Sequence, residues 1–213
     1  ILNWLFWKIP HREKGTENNP ISGLSRWKIW DNMRRSLTPV MLIVFLLAAW
    51  TVLPGSAILW TIAVFGVLAF PIYSSFSTDI FRRPQRVGWR LYLDKIRADL
   101  TMNTYRSVTS FLFLPHQAYN SMDAILRTLY RMFISQHKLL EWTSASKVDR
   151  EHANGSLRNY TLKMWFNVFW GLTCLFAVAF IKIQMLVIAF PVCMGWIFGP
   201  GLAFYLSKPM RNN

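Results

Sequence analysis

The sequence predicts an all-α integral membrane protein with four transmembrane helices in two hairpins and amphipathic interfacial helices between them. Three observations predict it. Of 213 residues, 53% are hydrophobic and only 16% are charged, below the charged fraction of about a quarter found in soluble domains. The apolar residues cluster into runs approaching the roughly 17 to 25 residues that a helix needs to cross a hydrocarbon core of about 30 Å. Between those runs the basic residues gather in three regions separated by two nearly uncharged turns, the alternation that orients a membrane protein.

Residues 1–36 read as an interfacial helix and loop. Ile1 to Lys8, ILNWLFWK, resembles the end of a helix at the headgroup level, and His11 to Pro20 is a polar surface loop. In the next string Leu24, Trp27, Ile29 and Trp30 alternate with Arg26, Lys28, Arg34 and Arg35, a mixture suited to the interface. Residues 37–76 form the first hairpin. Its outward span runs from Leu37 to Leu53 with Pro39 in its first turn, where a missing N–H is tolerated. Pro54, Gly55 and Ser56 make the turn, and Ala57 to Phe76 returns.

Residues 77–160 carry thirteen basic and seven acidic residues and are too charged to cross. Val87 to Phe113 reads as a helix that ends at Pro115. Beyond it Met122, Ile125, Leu126, Leu129 and Phe133 recur at helical spacing, with Asp123 and Arg127 paired on another face. The stretch from Leu91 to Phe133 is expected along the membrane surface. Residues 161–206 form the second hairpin, with one span from Leu162 to Phe180, Lys182 on the far side, and another from Ile183 to Leu206. Residues 207–213, with Lys208 and Arg211, return to the near side. Both ends are therefore expected in the cytoplasm.

The net charge of +14, from 24 Lys and Arg against 10 Asp and Glu, would point to nucleic acid in a soluble chain. Here clusters such as Arg82, Arg83 and Arg86 flank a span, so the expected partner is the lipid bilayer and no nucleic acid. Two cysteines, Cys174 and Cys193, exclude a disulfide framework by their number and sit in apolar stretches as small hydrophobes. There is no initiator Met and no signal-peptide series, and the chain is expected to be a piece of a longer protein.

No catalytic centre is visible. His11, His116, His137 and His152 lack metal-ligand spacing, and no phosphate loop, nucleophile elbow or carboxylate pair occurs. The glycosylation matches at Asn154 and Asn159 fall in a cytoplasmic loop. Asn167 and Gln184 are the main polar exceptions in the spans, where an amide usually bonds to a neighbouring helix at about 1 kcal/mol. Because no span contains a carboxylate, ion-coupled transport is not expected. Gly195 and Gly199 have the spacing that lets helices pack closely. Many of the chain's 11 Trp lie close to the cytoplasmic interface. Trp4, Trp7, Trp27, Trp30 and Trp142, with Arg34 and Arg35, are candidate contacts to a glucan or to the interface, since indoles stack on sugar faces and also form membrane belts.

Three strings carry a resemblance: PISGLSRWKIWDNMRRSLTP from Pro20 to Pro39, LPGSAILWT from Leu53 to Thr61, and LPHQAYNSMDAILRTLYRM followed by LLEWTSASK, Leu139 to Lys147. In order and spacing they resemble the membrane region of bacterial cyclic β-1,2-glucan synthases, over nearly the whole chain. The resemblance implies a multi-pass protein of the bacterial inner membrane, in which this segment follows a cytoplasmic glycosyltransferase domain. That domain polymerises glucose from UDP-glucose, with a divalent metal, Mg or Mn, at the nucleotide. It also implies a phosphorylase-like domain elsewhere in the same protein and a glucan chain as a further partner. No cofactor and no catalytic residue is assigned to this chain, whose implied task is to anchor and position the transferase. Two alternatives stand beside this reading: the membrane module of another polysaccharide synthase that forms a translocation path, and a non-enzymatic lipid-interacting membrane protein.

Overall fold

The computed structural model describes residues 6–11, 15–81, 88–135 and 156–208. After a short hairpin of β1 (Lys8–His11) and β2 (Gly15–Asn18), the described elements are helices: α1 (Gly23–Thr51), α2 (Ala57–Leu68), α3 (Phe70–Phe81), α4 (Trp89–Leu112), α5 (Leu114–Tyr130), α6 (Leu157–Lys163), α7 (Trp165–Ile181) and α8 (Leu186–Leu206). A π-helical turn, Arg131–Ser135, prolongs α5, and a 3-10 turn, Ile183–Met185, leads into α8.

Two helical stretches, Gly23–Thr51 and Ile183–Leu206, are long and apolar enough to cross a membrane, and two bent pairs raise the number to as many as four among the described residues. The protein is thus a helical membrane protein with two to four candidate spans. Its outer surface is apolar, as lipid contact requires: Phe180 is 86% exposed and Val187 81%. What is buried is a thin core in which Leu46, Trp50, Leu114, Cys174, Cys193 and Trp196 meet. Both cysteines are free.

The hairpin is a departure from the expected loop at His11 to Pro20. Its antiparallel register pairs Lys8 with Asn18 and His11 with Gly15. Two such strands are marginal alone. Asn19 fastens the base: its backbone N–H reaches the carbonyl of Trp7 at 2.9 Å and its side-chain amide that of Phe6 at 2.8 Å. Phe6 and Trp7 lie in a bend rather than in a helix end, and Ile1 to Leu5 lie outside the described residues.

Helix α1 joins what the sequence divides at residue 36. It starts at a Ser22 cap, whose hydroxyl accepts from the Ser25 N–H at 3.2 Å, and runs unbroken past Pro39 to Thr51. Pro39 removes one i to i−4 bond, but the helix continues on both sides of it. The turn after α1 is closed by two indoles. Trp50 donates to the Thr61 hydroxyl at 3.0 Å, and Trp60 to the Pro54 carbonyl at 3.1 Å. Gly55 sits at φ +93°, a left-handed conformation that penalises a Cβ. Gly55→Ala should therefore lower stability by about 1 kcal/mol, read as a fall in the thermal unfolding midpoint in detergent.

The second apolar run is broken where the sequence reads it as continuous. Helices α2 and α3 are bent by 55° at Ala69, because Pro71 has no N–H to continue the α2 ladder. The freed Leu68 carbonyl accepts from the Ser107 hydroxyl of α4 at 3.2 Å, and Asn103 donates to Ser75 at 2.9 Å. Likewise α6 and α7 meet at 63° around Met164, a bend within the run that the sequence reads as one span from Leu162. Helix α8 carries Pro191 and Pro200 and packs along α7 more extensively than any other pair of helices packs.

Candidate functional site

Two constellations stand out, one at the amino-terminal end of α1 and one where α4 meets α5. At the first, Trp27 and Trp30, one turn apart on α1, hold their rings 5.3 Å apart at 31°. Both are exposed, 60% and 47%. The guanidinium of Arg26 lies 4.0 Å from the centroid of Trp7, which ties the hairpin to the helix through a cation–π contact. Asp31 takes Arg34 on one carboxylate oxygen at 2.8 Å and Arg35 on the other at 2.7 Å. The hydrogen bonds from Arg34 and then Arg35 hold the Asp31 carboxyl below its ordinary value of 3.8. A depressed carboxylate keeps its pairing above that value and loses it only as acid titrates it, so this cluster keeps its arrangement throughout the neutral range.

Of the candidate contacts, the structure brings Trp7 to Arg26 and Trp27 to Trp30, and sets Arg34 and Arg35 on a shared carboxylate. Trp4 and Trp142 lie outside the described residues, as do Leu139 to Lys147 of the LLEWTSASK string. This surface is a shallow amphipathic platform of aromatic faces and guanidinium groups. Planar groups of this kind stack on apolar faces and donate to oxygen.

The second constellation was not visible as a unit in the sequence. Helices α4 and α5 turn at Phe113, and Pro115 starts α5 in the first-turn position where its missing N–H costs nothing. A corner made of backbone has unmet groups at the end of one helix and the start of the next. They are met by side chains from the apolar runs. Trp196 donates its indole N–H to the Phe111 carbonyl at 2.9 Å. Asn167 donates to the Leu112 carbonyl at 3.1 Å and accepts from the His116 backbone N–H at 2.7 Å. Asn167 and Trp196 are fully buried, as are Leu114 and Pro115 at the tip. The region expected to lie flat on the membrane surface therefore reaches into the bundle at its middle, while α4 continues along α3 and α5 along α1.

Gly195 and Gly199 of α8 face this corner. A Cβ at Gly195 would come 2.7 Å from the end of the Leu112 side chain; one at Gly199 would come 2.7 Å from the Asn167 amide nitrogen and 3.2 Å from the Leu112 carbonyl oxygen. Gly171 of α7 makes the contact between the long helices, since its Cβ would meet Ile197 at 2.9 Å and the Cys193 carbonyl at 3.1 Å. The sequence signals for the corner are Asn167, a buried amide in an otherwise apolar stretch, the Gly195–Gly199 spacing and Pro115.

His116 lies just inside the corner, with Nε2 3.1 Å from the Asn120 amide. Its Nδ1 and the Trp170 indole nitrogen are buried without a hydrogen-bond partner among the described residues. Burial lowers the His116 pKa from 6.5. A base whose folded pKa is depressed contributes stability above its unfolded value and loses it as pH falls through that value toward the folded one. The thermal midpoint should thus decline on going from pH 7 to pH 5, and His116→Gln should flatten that slope.

Among the described residues no group of three His, Cys, Asp or Glu side chains could hold a metal ion. The divalent metal implied by the resemblance finds no fitting donor set in this part of the chain.

No family model matches the chain. Among curated proteins it is 31% identical over 195 residues to the cyclic beta-(1,2)-glucan synthase NdvB of Rhizobium meliloti (strain 1021). The match covers 89% of this chain but 7% of that protein, so the chain corresponds to a small segment of its relative. The relation to such a synthase, read above from three strings, is borne out.

Proposed function

We propose that this chain is the transmembrane and interfacial module of a cyclic β-1,2-glucan synthase, which anchors and positions a glucosyltransferase at the cytoplasmic face of the inner membrane. The observation that carries it is the 31% identity to that synthase across 89% of the chain. The reading includes four spans in two hairpins, with each bent pair counted as one span and both ends cytoplasmic. The partners are the glycosyltransferase and phosphorylase-like domains of the same polypeptide, UDP-glucose is the donor, and a divalent metal acts in the transferase domain.

The geometry supports a positioning role. The platform of Trp27, Trp30 and Arg26 and the first apolar run belong to one uninterrupted helix, and the α4–α5 corner is bonded to both helices of the second hairpin. A surface held this firmly fixes the orientation of a domain docked on it, and orientation is itself a contribution to rate. In membranes from cells carrying the full-length protein, radiolabelled UDP-glucose should yield β-1,2-linked glucan. A version lacking residues 1–213 should give no product and release its transferase to the soluble fraction. Unchanged synthesis without these residues would overturn the proposal.

A further inference from the structure

Two grooves flank the amino-terminal half of α1 and share a wall. The first, of about 520 Å3, lies between α1 and α5 and is lined by Met33, Leu37, Ala124, Ile125 and Leu129 among others. The second, of about 410 Å3, lies on the other side of the same ridge, against Trp30, Leu37 and Met41. Met33 and Leu37 belong to both. Each groove falls within the size range of ligand sites. Together they form one two-lobed apolar depression rather than two separate ones.

The charges on this part of the molecule are one-sided. From Gly23 to Arg35, α1 carries Arg26, Lys28, Arg34 and Arg35 against Asp31 alone, and from Ser36 to Thr51 it carries no charge. Helix α5 and its terminal turn add Arg127 and Arg131 against Asp123. The sum is six basic and two acidic residues, and Arg34 itself lines the second lobe. The last cationic turn of α1 therefore sits where the apolar depression begins. The ligand that fits has two apolar tails, one per lobe, and an anionic head at their junction.

From this geometry we infer that the α1–α5 depression is a binding site for one anionic two-tailed glycerophospholipid, its tails straddling the Met33–Leu37 ridge and its phosphate beside Arg34 and Arg35. Basic pockets between membrane helices on the cytoplasmic side bind such headgroups. A planar guanidinium suits a phosphate diester. Arg34 and Arg35 already share Asp31, and this carboxylate holds both in place while leaving one net positive charge. The site stands independently of the synthase reading, because it rests on the charge and shape of α1 and α5 alone.

The test uses the full-length protein in nanodiscs that contain phosphatidylglycerol with a diazirine in one acyl chain, compared with phosphatidylcholine bearing the same chain. After irradiation the adducts are mapped by peptide mass spectrometry. Peptides covering 33–41 and 120–132 should carry at least about threefold more phosphatidylglycerol than phosphatidylcholine adducts. Peptides around Phe190 and Phe198, exposed on α8 in a stretch without basic residues, should show no preference. Arg34→Gln with Arg35→Gln should erase the preference, and Ala124→Trp should remove the adducts on 120–132 alone.

Equal labelling by the two lipids at 33–41 and 120–132 in the unsubstituted protein would overturn the inference. So would an absence of adducts there, which would mean that another part of the protein covers the depression. If Ala124→Trp fails to fold, the comparison in the unsubstituted protein still decides. Glucan synthesis measured on the same preparations is a separate readout, so loss of the lipid preference with synthesis intact counts against the lipid site only.

Discussion

Replacing Asn167 by leucine should loosen the α4–α5 corner markedly. Leucine keeps the volume and removes both hydrogen bonds, leaving the Leu112 carbonyl and the His116 N–H buried with nothing to meet them. An unmet buried group costs about 1 to 3 kcal/mol, and two of them in one place would cost about 2 to 6 kcal/mol on the same scale. The thermal midpoint in detergent should drop sharply and proteolysis should open the segment near Phe113. Asn167→Asp should be at least as damaging, because a fully buried carboxyl either carries an unpaired charge beside the Leu112 carbonyl or takes up a proton at the expense of stability. Equal midpoints for native and leucine proteins would show that the corner does not depend on this amide.

Gly199→Ala should be far worse than Gly195→Ala. At Gly199 the new methyl meets a bonded amide and a backbone carbonyl at 2.7 and 3.2 Å, whereas at Gly195 it meets only the end of the Leu112 side chain. A side-chain tip can rotate away, but an amide held by two hydrogen bonds cannot move without breaking them. Overpacking of this kind costs about 1 to 3 kcal/mol. Midpoints of the purified Gly195→Ala and Gly199→Ala proteins, measured side by side, check the ranking.

Much of the architecture was legible because it follows from local composition. The uncharged runs from Leu37 and from Ile183 are helices of membrane length, and the pairing of Asp123 with Arg127 follows from their spacing, their side chains meeting at 2.8 Å. The α4 helix expected from Val87 to Phe113 is observed over Trp89–Leu112. What escaped the sequence depends on distant partners. Pro115 was legible as the end of one helix but not as the start of the next. The burial of that junction is decided by Asn167, 51 residues from His116 and 55 from Leu112, and by Trp196, 85 residues from Phe111. No local periodicity encodes such pairs.

The bends differ in the same way. That at Ala69 has a local cause in Pro71, overlooked because every residue from Ala57 to Ile72 except Thr61, Gly66 and Pro71 is apolar. That at Met164 has no breaker residue beside it and arises where α7 turns to place Asn167 inward. The β-hairpin was read as a loop because its strands are four residues each, too short for an alternating pattern to register. Of the platform, the sequence supplied the residue types and the helical neighbours, but not the stacking of Arg26 on Trp7, which crosses from the hairpin to the helix.

The length of α1 has a mechanical consequence. A 29-residue helix rises about 44 Å at 1.5 Å per residue, some 14 Å more than the roughly 30 Å hydrocarbon thickness. The surplus lies at the charged end that carries Trp27 and Trp30, so a rigid strut rather than a flexible tether joins these indoles to the apolar run. Its azimuth is set as well, since Trp50 at the other end is locked by Thr61 and stacked 5.9 Å from Trp196. A load applied to the exposed indoles would be carried as torque through six turns of helix into the second hairpin.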